Sequence, residues 1–231
     1  MKIQRFFIGE KIAEEKKVTV SNDELIHQWR NVFRMKAGDE IVLLDNSGFE
    51  YPARFLSLDK KEAEFEVLSK IKNEVIPKRE VVLYQSLIKK DKFEWVVQKA
   101  TELGVSEFVP VLSERSEKKN LNMERLAMIA REASEQSGRG KLPKLHKLLN
   151  LQEALDSIKD NAIVFDSSGF PFQTYKLPNF LTYKIFIGPE GGFTSDEIQL
   201  FKSKNIPIVS LGNMTLRAET AAISVASFLL L

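Results

Sequence analysis

Two glycine-containing segments late in the chain carry residue types and spacings that could do chemistry. In the first, Tyr183-Lys184-Ile185-Phe186-Ile187 runs into Gly188-Pro189-Glu190-Gly191-Gly192-Phe193 and then Thr194-Ser195-Asp196-Glu197, a T-x-x-E capping box that opens a helix. The order is strand, glycine turn, helix N-terminus. Glycine has no Cβ, so its backbone lets a ligand approach closely, and in an open α/β sheet ligands sit beyond the carboxyl ends of the strands. The second segment repeats the pattern: Ile206-Pro207-Ile208-Val209-Ser210-Leu211 ends in Gly212-Asn213-Met214-Thr215, and a helix starts near Leu216. Arg217, Glu219 and Thr220 lie in its first turn, where ion pairing and capping compete with a role in the site. Neither spacing is G-x-G-x-x-G or G-x-x-x-x-G-K-[ST], so dinucleotide and phosphate-loop readings lose their main support, and Glu190 would repel a pyrophosphate. Taken alone, the first loop also admits a plain structural turn.

Composition narrows the chemistry further. The 231 residues hold no cysteine and only two histidines, His27 and His146, which removes thiol nucleophiles, thiolate zinc sites and imidazole-rich cages, so metal-free chemistry is expected. No apolar run reaches about 18 residues, and the start of the chain becomes charged too early for a secretory leader, so a cytoplasmic protein is expected. With 34 Lys+Arg against 32 Asp+Glu the net charge is only +2, so a polyanionic partner requires a local basic patch. A hydrophobic fraction of 43% and a mean hydropathy of −0.19 describe a folded enzyme.

The elements that must position the loops are legible in outline. Ser21-Asn22-Asp23-Glu24 reads as a capping box, followed by helical spacing of Leu25, Trp29, Val32 and Phe33. Strands are expected over 40–44, 51–58 and 62–68, with a hairpin turn at 45–48, which together read as a small β-barrel carrying one helix. After the polar stretch 69–74 the pattern changes to strands alternating with helices. The chain is therefore divided into domains over 1–72 and 73–231. Strands are expected over 81–87, 105–112, 162–165, 184–187 and 206–211. Helical stripes run through Phe93, Val96, Val97, Ala100 and Leu103, ended by Gly104, and near 123–136. The alternation implies an α/β domain with a mostly parallel sheet and helices on both faces. The last helix is apolar nearly all round, which places it inside the fold or against a second copy.

The combination of Ile187-Gly188-Pro189-Glu190-Gly191-Gly192-Phe193 with Leu211-Gly212-Asn213-Met214-Thr215-Leu216-Arg217-Ala218-Glu219-Thr220-Ala221 resembles the signature of the ribosomal RNA small subunit methyltransferase E family. Arg5-Phe6-Phe7, Asn31-Val32-Phe33-Arg34 with Gly38-Asp39, Gln98 to Gly104, Glu114-Arg115-Ser116 and Glu135-Gln136-Ser137-Gly138-Arg139 are similar to further family motifs. Ala218, where the family often has Thr, and the charged Glu117-Lys118-Lys119 depart from the pattern. The resemblance implies a PUA-like RNA-binding β-barrel, then a SPOUT domain with a C-terminal trefoil knot, working as a homodimer that methylates N3 of a uridine in 16S ribosomal RNA. It also implies that S-adenosylmethionine is held by Gly188, Glu190, Gly191, Gly192, Leu211, Gly212, Met214 and Leu216.

Methylation at N3 requires an exposed base, removal of a weakly acidic proton and an in-line methyl sulfonium, so the protein supplies positioning and charge. Glu190 or Glu219 could take the proton, and Arg217 or an arginine of a partner subunit could stabilise the uracil anion. Phosphate contacts are expected from Arg5, Arg30 and Arg34 in the first domain and from Arg115, Arg139, Lys141, Lys144 and Lys147 in the second, each weighed against a solvated surface charge. His146 reads as a structural or surface residue. The rivals are a related SPOUT enzyme acting on a ribose 2′-OH or a tRNA base, a non-catalytic RNA-binding protein, and a nicotinamide dehydrogenase. The last lacks its fingerprint, since Gln85-Ser86-Leu87-Ile88-Lys89-Lys90 follows the first strand of the second domain.

Overall fold

A computed structural model describes residues 3–12, 16–116 and 120–231. Glu117-Lys118-Lys119 and part of the charged N-terminal stretch lie outside the described residues. The chain divides into two compact units, Met1–Ile76 with Ser134–Leu142, and Pro77–Ala133 with Pro143–Leu231. Expectation assigned 134–142 to the second domain. The structure instead returns this segment to the first unit, because Asn73 Nδ2 donates to the Gly138 carbonyl at 2.8 Å and Asn46 Oδ1 accepts from the Leu142 N–H at 2.8 Å.

The first unit contains β1 (Arg5–Phe7), β2 (Lys17–Val20), α1 (Asp23–His27), β3 (Glu40–Leu44), β4 (Phe49–Leu58), β5 (Ala63–Val67) and β6 (Ile71–Lys72). Its sheet runs β1-β3-β4-β5-β2, with β6 on β4. β1 pairs parallel with β3, and the other pairings are antiparallel. The helix is capped one residue later than the Ser21 reading predicts: Asn22 Oδ1 accepts from the Leu25 N–H at 3.0 Å, since Asn22 holds the extended backbone that a cap requires. A π-helical turn, Gln28–Val32, then swings Trp29 inward. Trp29 is fully buried and meets Phe6, Phe55 and Phe65 edge-on, with centroids 5.3–5.7 Å apart. These T-shaped contacts set a positive ring edge against a negative ring face, so the unit is organised around one indole.

The second unit begins with β7 (Glu80–Ser86), α2 (Lys90–Leu103), β8 (Glu107–Leu112) and α3 (Met123–Ser137), whose last turn counts with the first unit. It continues with β9 (Lys144–Leu145), β10 (Leu149–Asn150), α4 (Leu151–Asp156), β11 (Ala162–Pro171), β12 (Thr182–Ile187), α5 (Ser195–Ser203), β13 (Ile208–Ser210) and α6 (Ala218–Leu230). The strand order is β10-β8-β7-β12-β11-β13, with β9 on β8, and all pairings are parallel. The expected alternation therefore yields an α/β unit with a parallel sheet. Buried residues of α2, α3 and α6 form one core with one face of the sheet, while α4 and α5 form another core with the opposite face. Gly104 ends α2 with φ +108, as its position after the apolar stripe predicts. The short elements α4, β9 and β10 escaped the periodicity reading because none is long enough to show a period.

Truncation at the centre of the first unit should be costly. Trp29→Ala is expected to lower unfolding free energy by about 3–5 kcal/mol. Trp29→Phe should cost clearly less, because it keeps most of the ring contacts and removes an indole Nε1 that is buried without a hydrogen-bond partner. Denaturant titration of both variants checks the order, and equal losses would contradict this account of the core.

Candidate functional site

Both glycine loops leave the carboxyl edge of the parallel sheet. β12 ends at Ile187 and passes through residues 188–193 to Thr194, which caps α5. The capping box is present in both directions: Glu197 N–H donates to Thr194 Oγ1 at 3.3 Å, and Thr194 N–H donates to Glu197 Oε2 at 2.9 Å. Glu197 is buried, and its other oxygen, Oε1, accepts from the Glu114 N–H at 2.8 Å. One carboxylate thus ties the loop after β12 to the loop after β8. Arg115 reinforces the tie, donating from a guanidinium nitrogen to the Gly191 carbonyl at 2.8 Å.

Gly192 has φ +67 and Gly212 has φ +139, backbone states that L side chains rarely adopt, so these two positions call for glycine on conformation alone. β13 ends at Ser210, residues 211–217 form the second loop, and Arg217 precedes α6 without a side-chain cap bond. β11 lies between β12 and β13, so the strand in the middle separates the two loops. Together they enclose a cleft of about 240 Å³.

The structure brings Gly188, Glu190, Gly191, Gly192, Leu211, Gly212, Met214 and Leu216 together in the lining of this cleft. Of the three candidates for catalysis, Glu190 alone is in the lining; it stands exposed at the rim, where an oxygen accepts from the Lys89 N–H at 3.2 Å. Glu219 is buried in the first turn of α6, outside the lining, with Lys92 Nζ at 4.0 Å. Arg217 is exposed between Leu216 and Ala218, both of which line the cleft. Sequence reasoning missed Phe165, Asp166 and Ser167. They follow the first three residues of β11, and the rule that ligands sit beyond carboxyl strand ends was a usable signal for them.

The basic candidates scatter. Arg5 is paired with Glu50 at 3.1 Å, Arg30 is half-buried, and Arg34 is exposed with φ +55. Arg139, expected as a solvent-facing phosphate contact, is 8% exposed, and loss of hydration lowers its pKa to about 10. The return of its segment to the first unit accounts for the burial: Gly140 packs so closely on Asn73 that a Cβ there would stand 2.7 Å from the asparagine Cβ. Lys141, Lys144 and Lys147 are exposed, while His146 pairs through Nε2 with Glu107. The contacts therefore split the basic stretch between the units, with Arg139 and Lys141 in the first and Lys144 and Lys147 in the second. Among the described residues, no group of three or more His, Cys, Asp or Glu is placed to hold a metal, and no helix is long and apolar enough to cross a membrane.

Residues 76–230 match the family described as RNA methyltransferase domain, and residues 30–68 match the RNA methyltransferase PUA domain. The ribosomal RNA small subunit methyltransferase E of Rickettsia conorii is 30% identical, with 97% of this chain and 93% of the relative covered. That of Bacillus subtilis is 31% identical, with 95% and 93% covered. Among solved structures, the ribosomal RNA small subunit methyltransferase E of Neisseria gonorrhoeae bound to S-adenosyl methionine is similar with a TM-score of 0.89 at 28% identity, covering 98% of this chain and 96% of that one. A putative methyltransferase of Legionella pneumophila in complex with the same cofactor gives a TM-score of 0.91 at 26% identity, covering 99% and 97%.

The shared carboxylate generates a test of the loop architecture. Glu197→Ala should reduce stability by about 2–3 kcal/mol, because two backbone N–H groups lose a charged acceptor. Glu197→Gln, which keeps one acceptor oxygen, should lose less. Chemical denaturation of the full chain measures both, and a neutral Glu197→Ala would remove this tie from the account of the site.

Proposed function

Because the chain belongs to the ribosomal RNA small subunit methyltransferase E family, we propose that it transfers the methyl group of S-adenosylmethionine to N3 of a uridine in 16S ribosomal RNA. The observation that carries this reading is the convergence of both glycine loops on one cleft. Its character fits the cofactor: Ile187, Leu211, Leu216 and Ala221 would offer apolar surface to a purine, and the glycines expose backbone polar groups that would meet its polar atoms. When bound, the cofactor supplies an electrophilic methyl on a sulfonium.

The chain's own residues do the rest. Glu190 stands at the rim of the cleft, where a carboxylate can take the weakly acidic N3 proton, and its tie to the Lys89 N–H fixes where that oxygen sits. Arg217, exposed between two lining residues, is placed to stabilise negative charge developing on the uracil. Glu219 is better suited to holding Lys92 and α2 against α6 than to meeting a base, since it is buried away from the lining.

The first unit holds the RNA, with the exposed Arg34 a better phosphate contact than the buried Arg139. Closure of its sheet into a PUA-like barrel, a trefoil knot around the second loop, and a cytoplasmic location follow the family resemblance. Homodimer formation is supported by apolar side chains left exposed on and around α6: Phe228 at 59%, Met214 at 83% and Leu231 at 90%.

Gly191→Val is the cleanest probe of the cleft, because the only crowding a Cβ meets there is the flexible Arg115 side chain, with its Cδ at 3.3 Å. Calorimetry should show S-adenosylmethionine binding lost while circular dichroism and melting stay near wild type. Unchanged affinity would take this loop out of the cofactor site. Arg217→Ala should slow single-turnover methylation of ribosomal RNA far more than it weakens RNA binding, as expected for a group whose interaction develops in the transition state. Equal losses in rate and binding would make Arg217 a positioning residue.

A further inference from the structure

We propose that Asp166 is the acceptor for the ribose hydroxyls of the methyl donor, an assignment that rests on reading the cleft as an S-adenosylmethionine site. Phe165 pairs with Ile187 of β12 on one side and with Val209 of β13 on the other. The next residues along the three strands are Gly188, Asp166 and Ser210, all in the lining of the cleft. Asp166 is thus the side chain of the central strand at the level where both glycine loops depart.

The ladder then breaks. Val209 pairs with Phe165 and again with Phe170, so residues 166–169 bulge out between two points of contact with one partner residue. Gly169 makes the return possible, since a Cβ there would lie 2.5 Å from the backbone of Ile208. A bulge at this position re-aims side chains that regular pleating would hold in the sheet.

Within the bulge the carboxylate is pre-set. Oδ1 accepts from the Ser168 N–H at 2.9 Å and from the Ser168 hydroxyl at 2.7 Å. Oδ2 faces the first glycine loop, 3.5 Å from the point where a Cβ on Gly192 would stand. One oxygen is fixed, and the other is presented to the cleft beside a residue that has no side chain. The other carboxylate in the lining, Glu190, is exposed at the rim. The ribose is bonded directly to the base, so an acceptor adjoining the apolar residues Phe165 and Ile187 meets hydroxyls, whereas Glu190 at the rim stands apart from that apolar surface. Acidic residues at the carboxyl end of a neighbouring strand hold ribose in the same way in other open α/β sheets.

The test is a thermodynamic cycle on the full chain. Calorimetry is run with S-adenosylmethionine, with 5′-methylthioadenosine, which keeps base and ribose but lacks the ammonium, and with the 2′-deoxy and 3′-deoxy forms of the latter. Wild type should bind S-adenosylmethionine. Asp166→Asn should weaken both parent ligands roughly 10- to 100-fold, the range for a lost charge-assisted hydrogen bond. Wild type should lose a similar factor on at least one deoxy ligand, and Asp166→Asn should barely distinguish that ligand from its parent. A structural role alone would weaken parent and deoxy ligands equally, and that result overturns the assignment. Loss confined to S-adenosylmethionine reassigns Asp166 to the ammonium and also overturns it. If Asp166→Asn fails to fold, wild type with no preference for the ribose hydroxyls is sufficient to reject it. Wild type that binds S-adenosylmethionine without coupling defeats this inference alone, whereas wild type that does not bind the cofactor defeats the cleft reading as well.

Discussion

The second unit depends on one constraint: β12, β11 and β13 run parallel and in register at their carboxyl ends. Parallel strands cannot be joined by tight hairpins, so each returns through a connection that crosses a face of the sheet. Every loop that leaves a strand end therefore emerges at the same edge. Ile187, Phe165 and Val209 form one row across three strands, and the two glycine loops become neighbours although their sequences are separated by a whole helix and strand. A slip of one residue in either pairing would turn alternate side chains to the wrong face and move one loop away from the other.

Charge and capping then fix what the register has brought close. A helix that starts right after a glycine loop leaves its first N–H groups without partners, and the Thr194–Glu197 box satisfies two backbone donors there. Because the Glu197 carboxylate is buried and also accepts from Glu114, local capping becomes a tertiary contact between loops. The Arg115 bond to the Gly191 carbonyl acts in the same direction. The cleft wall is held by backbone-directed bonds, which leaves the glycine surface bare.

The first unit illustrates how charge type and charge location separate. Arg139 lies in a basic stretch and reads from composition as a surface group, yet its segment packs onto the first unit and desolvates it. A buried guanidinium is a structural element first. Arg34, by contrast, stays exposed in a left-handed backbone state that few non-glycine residues occupy.

The sequence by itself determined the α/β alternation, the Thr194 cap and the Gly104 stop, because periodicity and capping are local properties carried by neighbours in the chain. It also determined the two glycine loops, since glycine at Gly192 and Gly212 answers a backbone requirement written into a few residues. The Ser21 cap and the division at 72/73 were less well determined: the first turned on which of two adjacent residues takes the extended conformation, the second on a segment that returns from far along the chain. Only the tertiary structure decided that Asp166 stands between the loops, that Glu219 faces Lys92 instead of the cleft, and that Arg139 is buried. Each of these depends on contacts between residues distant in sequence, and strand order, register and helix packing are set by the whole core and not by any window of the chain.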